Sequence, residues 1–105
     1  MKQEIKNIGA YEIDRFIDIY KSRLIILDVR SEKEYKEGHI KNAINISYEK
    51  IIKGLENINN DKIVLVYCYS GGRSMRVAKI LYFKGYSVIN VVGGLKEYNG
   101  KNIVK

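Results

Sequence analysis

One stretch of the chain concentrates reactive groups: Cys68-Tyr69-Ser70-Gly71-Gly72-Arg73-Ser74. Cys68 is the only cysteine. A thiol reacts as its thiolate, so whatever surrounds the sulfur decides how reactive it is. Gly71 and Gly72 allow the backbone to curl tightly and turn successive N–H groups inward, which makes a nest for an anion. A helix opening just after them adds its unsatisfied N–H groups and the positive end of its dipole. Arg73 contributes a full positive charge with forked donors. Together these favour a thiolate on Cys68 and any anion joined to its sulfur. A lone cysteine elsewhere is usually a small buried hydrophobe; its neighbours here argue for a nucleophile.

Such a loop needs a rigid frame. Ile63–Tyr67 is the most apolar run and reads as a strand that ends at the cysteine. Residues 24–29 form a second run without polar alternation, the mark of a strand covered on both faces. Short strands are also expected at 4–8 and 43–46, and a last clear one at Ser87–Val92. Between them lie helical patterns. Residues 10–20 carry Ile13, Phe16, Ile17 and Tyr20 on one face, and residues 48–58 carry Ile51, Ile52 and Leu55. Ser31 and Glu34 form a capping box for a short charged helix that Gly38 ends. Residues 73–84 read as the helix after the loop, closed by Gly85. Gly93-Gly94 turns the chain into a final short helix over 95–99. Alternation of this kind implies an α/β fold, with an open, mostly parallel sheet of about five strands between helices. Ligands in such sheets bind at the carboxyl ends of the strands, which is where Cys68 stands.

Length and composition bound the alternatives. A chain of 105 residues suits one compact domain with one modest core, taken as residues 1–105. Hydrophobic residues make up 46% of it, which argues against disorder. No apolar run approaches the roughly 20 residues needed to span a bilayer. Met1-Lys2-Gln3-Glu4 leads into no signal-like segment, and a single cysteine forms no internal disulfide; a cytoplasmic protein with no membrane partner is expected. The net charge of +7 is unevenly spread. Residues 1–61 hold eleven basic and eleven acidic side chains, whereas residues 62–105 hold eight basic ones and a single acid, Glu97. A field of that sign draws small anions towards Cys68. Nucleic acid is a weaker reading, because no recognition motif accompanies the charge or the nine tyrosines.

Residues 68–74 resemble the active-site loop of the rhodanese-like sulfurtransferases, C-x-x-G-x-R-S, with Gly71, Arg73 and Ser74 at the matching positions. Leu27-Asp28-Val29-Arg30, then Glu34-Tyr35, Gly38-His39-Ile40, Ala43 and Ile46, are similar to an upstream signature of that family. Val91-Val92-Gly93-Gly94-Leu95 resembles its last one, while Tyr98 stands where many members carry Trp. Three segments in the right order cover nearly the whole chain. The resemblance implies a three-layer α/β/α fold and sulfur transfer through a persulfide on Cys68. It implies no cofactor and no metal. Thiosulfate would be the small anionic donor, a protein could donate or accept sulfur, and the chain would be a monomer or weak dimer. The N–H groups from Tyr69 to Ser74 would hold the anionic sulfur. Tyr69 and Ser70 occupy the loop positions that tune donor choice in the family, and neither is charged.

Two rivals use similar parts. Cysteine-dependent phosphatases and arsenate reductases have a C-x5-R loop; here Cys68 to Arg73 is C-x4-R, a smaller cradle. A partner-binding module without activity is the other, although inactive relatives often lack the cysteine. Asp28 and Arg30, at the carboxyl end of a buried strand, are expected to form an ion pair or turn anchor near the site, and secondarily to help position the loop. Arg73 could contact the donor or only brace the loop. His39 is expected to be a hydrogen-bonded structural residue in a turn, and Arg76 and Lys79 to face solvent.

Overall fold

The structure, a computed structural model, describes residues 4–54 and 57–105. Leu55 and the first three residues, which entered the readings of helix 48–58 and of a missing leader, lie outside the described residues. Apolar β-branched runs form the centre. Strands β1 (Lys6–Gly9), β2 (Leu24–Asp28), β4 (Ile44–Asn45), β5 (Ile63–Tyr67) and β6 (Ser87–Val92) make one sheet in the order β1-β6-β5-β2-β4. Every neighbouring pair in it is parallel. A short antiparallel pair, β3 (His39–Ile40) with β7 (Ile103–Val104), stands apart from it. His39-Ile40 is thus a strand rather than the expected turn, and β7 carries no pattern strong enough to be read in advance.

Helices cover both faces, as a sheet buried on two sides requires. Helix α1 (Ile13–Tyr20), led in by a 3-10 turn over Ala10–Glu12, sets Ile13 and Phe16 against Ile8, Ile26, Leu65, Ile89 and Val91. On the other face α3 (Tyr48–Ile52) and α4 (Gly72–Phe83) bring Ile51, Val77, Ala78 and Leu81 against Leu27, Val64, Val66 and Val88. Each of these side chains larger than alanine, taken fully out of water, contributes on the order of 2 kcal/mol. Helix α2 (Glu32–Glu37) begins with the expected capping box, in which the Ser31 hydroxyl accepts from the Glu34 amide and Glu34 accepts from the Ser31 amide.

The helix read over 48–58 is shorter than expected. It stops at Ile52 because Gly54 takes a left-handed conformation, φ +69°, and donates back to the Ile51 carbonyl. Ile52, expected to face the core, is exposed, while Ile58 is buried without being helical. Likewise the last helix is only a 3-10 turn over Leu95–Glu97. No helix among the described residues is long and apolar enough to cross a membrane.

Candidate active site

Two adjacent residues at the carboxyl end of β5 face opposite sides of the sheet. Tyr67 points towards α1 and Cys68 towards α4. The side chain of Tyr67, wholly buried, donates to Asp28 Oδ2 at 2.7 Å and accepts the Ile40 amide at 3.0 Å. Asp28, also wholly buried, accepts from the Arg30 amide at 2.9 Å. The Arg30 guanidinium grips the same carboxylate, with Nη2 at 2.7 Å from Oδ2 and Nε at 3.0 Å from Oδ1. Nη2 also donates to the Gly38 carbonyl at 2.7 Å. Burial first, then the Asp28 charge, raises the Tyr67 phenol far above its ordinary pKa, so it stays a donor. Asp28 and Arg30 therefore tie β2, β5, the end of α2 and β3 together. They lie across the sheet from the sulfur and touch it nowhere among the described contacts. His39 is structural, with Nδ1 2.7 Å from the Tyr35 carbonyl and its ring stacked on Tyr35 at 3.6 Å.

On the other face the loop closes round the sulfur. Gly71 adopts φ +112°, which returns the chain to the thiol and opens α4 one residue later. Cys68 Sγ then accepts the Gly71 amide at 3.0 Å and the Ser74 amide at 3.4 Å. Burial would raise the thiol pKa. The Ser74 hydroxyl, with the amides of Ser74, Gly71 and Ser70, outweighs it and brings the pKa below the ordinary value. These stabilising groups are neutral. The Ser74 hydroxyl has one proton and two acceptors within reach: the Gly71 carbonyl, at 3.2 Å, and the sulfur. Cys68 is more deeply set than its sequence suggests, at 1% exposure, while Tyr69, Ser70 and Gly72 around it are exposed.

The sequence leaves open what Arg73 does; the structure pairs it with Glu34. Nη1 lies 2.8 Å from Oε1 and Nη2 3.1 Å from Oε2, a forked ion pair between α4 and α2. The Arg73 hydrogen bonds hold the Glu34 carboxyl at about 2, with the Ser31 amide helping. Glu34 also raises the Arg73 pKa, and Cys68 and Glu49 act on the same cation more weakly. Arg76 and Lys79 are exposed, as expected, and Arg76 Nη1 donates to the Tyr48 hydroxyl at 3.1 Å.

Glycine pair 93–94 has a role that its sequence signature does not reveal. The turn it makes delivers the Leu95 amide to the Cys68 carbonyl and the Lys96 amide to the Tyr69 carbonyl, both at 2.9 Å. With those carbonyls held on the outside, the loop's own amides are left facing in. Gly94 touches the Cys68–Tyr69 backbone so closely that a Cβ there would overlap the Tyr69 carbonyl. The only sequence signal for this contact was the glycine pair itself.

Comparison with known proteins agrees with this geometry. The family model described as rhodanese-like domain matches residues 10–101. The chain is 34% identical over 99 residues to the thiosulfate sulfurtransferase GlpE of Coxiella burnetii, covering 93% of this chain and 88% of that protein. It is 35% identical over 98 residues to the putative sulfurtransferase YtwF of Bacillus subtilis, covering 93% and 94%. Among solved structures, a rhodanese-like domain protein from Staphylococcus aureus superposes with a TM-score of 0.80 at 27% identity, over 95% of this chain and 97% of that one. The parallel sheet between helices, the cysteine loop at its carboxyl edge and these matches together make the chain a member of the rhodanese-like domain family.

Proposed function

We propose that this chain is a sulfurtransferase that moves sulfane sulfur from thiosulfate or a persulfide donor to cyanide, a thiol or a protein acceptor, through a persulfide on Cys68. The observation that supports it best is the sulfur itself, which accepts two backbone N–H groups where β5 meets α4. In the first half-reaction the Cys68 thiolate attacks the outer sulfur of thiosulfate. The S–S bond of the donor breaks, sulfite departs with its electron pair, and Cys68–S–S⁻ remains. In the second, the acceptor attacks the terminal sulfur and Cys68 leaves as thiolate; cyanide would become thiocyanate. The reaction is covalent catalysis in two steps, with ping-pong kinetics. Loop amides from Tyr69 to Ser74 would hold the charge as it moves one S–S bond, about 2.05 Å, outward from Sγ. Asp28 and Arg30 act only as supports. We further propose that residues 1–105 work as one domain, as a monomer or weak dimer, in the cytoplasm, where a lone thiol stays reduced.

Intact-mass analysis after incubation with thiosulfate tests this reading, with cysteine persulfide as a second donor and an aryl phosphate offered in parallel. The expected result is a gain of one sulfur atom that is lost on adding cyanide and is absent in Cys68→Ser. The phosphate ester should stay intact, since a cradle one residue shorter than C-x5-R fits one sulfur better than a tetrahedral oxyanion. Ester hydrolysis with no sulfur adduct from either donor would overturn the proposal.

A further inference from the structure

The forked pair between α4 and α2 has a consequence for donor choice. Arg73 is the one cationic side chain of loop 68–74. An unoccupied guanidinium beside a nucleophilic sulfur would be a ready contact for the sulfonate end of thiosulfate, which carries two negative charges. That cation is already taken. Both terminal nitrogens point at Glu34, at 2.8 and 3.1 Å, and Glu49 adds a weaker negative influence. Glu34 is itself fixed, because the same carboxylate caps α2 through the Ser31 amide at 3.0 Å. Its pKa of about 2 keeps it ionised wherever thiolate chemistry runs. The remaining outward side chains of the loop, Tyr69 and Ser70, are uncharged.

We infer that Glu34 is a specificity-determining positioning residue: by occupying Arg73 it withholds the loop's cation from dianionic donors and shifts preference to organic persulfides, whose charge is lower. The inference rests on the sulfur-transfer reading of Cys68. With a persulfide donor the step is Cys68–S⁻ + R–S–SH → Cys68–S–S⁻ + R–SH. The donor's S–S bond breaks, its proton ends on the departing thiol, and no redox partner is needed. The donor needs no countercharge from Arg73, only passage of its terminal sulfur down to a floor that is 1% exposed.

The test compares KM and kcat for thiosulfate and for cysteine persulfide in the wild type, Glu34→Gln, Arg73→Met and the double variant. Gln keeps the capping box of α2 intact. In Glu34→Gln the thiosulfate KM is expected to fall roughly tenfold, the worth of one charge-assisted contact. The persulfide KM should move less than about twofold. Arg73→Met, which bares Glu34, should raise the thiosulfate KM, and the double variant should return it close to the wild-type value. A fold defect alone would change both donors together and would not be rescued in the double variant. An unchanged or raised thiosulfate KM in Glu34→Gln, with persulfide turnover intact, would overturn the assignment of Glu34 and leave the sulfurtransferase reading standing. A wild type that loads sulfur from neither donor would sink both.

Discussion

Asp28→Ala is expected to destabilise the protein by about 3–5 kcal/mol, more than any other single change considered. The cost comes from what the substitution leaves behind. Arg30 is 4% exposed and its guanidinium would lose its counter-ion, and the buried Tyr67 hydroxyl would lose its acceptor. A buried charge without a partner is far more costly than the pair is beneficial. A domain of this size has a total stability of about 5–15 kcal/mol, so the melting temperature should fall by more than about 10 °C. Circular-dichroism melts of wild type, Asp28→Ala and Asp28→Asn check this. Asn keeps the shape and one acceptor and should lose less. A loss below about 1 kcal/mol for Asp28→Ala would show that the network on this face does not hold the ends of β2 and β5 together.

The second large effect is expected on activity. Gly94 sits at φ +63° and ψ −165°, a region that only glycine occupies readily, at a cost to other residues of about 1–3 kcal/mol. A Cβ there would also stand 2.6 Å from the Cys68 carbonyl and overlap that of Tyr69. To accommodate Gly94→Ala the turn must withdraw, and the Leu95 and Lys96 hydrogen bonds to those carbonyls are lost with it. The loop is then free to turn its amides away from the sulfur. Sulfur loading from either donor should slow by at least about 100-fold, since small misplacements at a reacting centre have effects of that order. Gly85→Ala is the control. It too has a positive φ, +95°, but nothing lies within 4 Å of its added Cβ, and it sits past the far end of α4. It should cost stability without slowing loading. Equal slowing in both variants would remove the proposed role of the 93–94 turn.

Much of the frame was legible because it is written in local pattern. The bounds of β5 and β6 coincide with their apolar runs, since strands buried on both faces tolerate few polar residues. The loop was legible because a cysteine, two glycines and a helix start are contiguous. Features that depend on distant partners were not. Nothing near Arg73 announces Glu34, and nothing near Gly94 announces Tyr69; topology alone brings each pair together. The two-residue strands β3 and β7 are too short for any period to show. The early end of α3 was missed because apolar spacing continued past Gly54, and the left-handed glycine outweighed it. The depth of Cys68 was also hidden, because burial is set by α4 packing over the end of β5.

The most direct measurement is the thiolate ultraviolet absorbance of Cys68 as a function of pH, taken as the difference between wild type and Cys68→Ser. Hydrogen bonds from Ser74, Gly71 and Ser70 overcome burial, so the midpoint should lie below that of the same thiol in the denatured chain. The linkage has a definite sign. A thiol pKa lowered by folding adds stability that is complete above the unfolded value and is lost as pH falls through the folded one. Wild type should therefore gain stability over Cys68→Ser as pH rises between those two points. A midpoint at or above that of the denatured chain, with no such gain, would contradict the claim that inward amides make this sulfur a nucleophile.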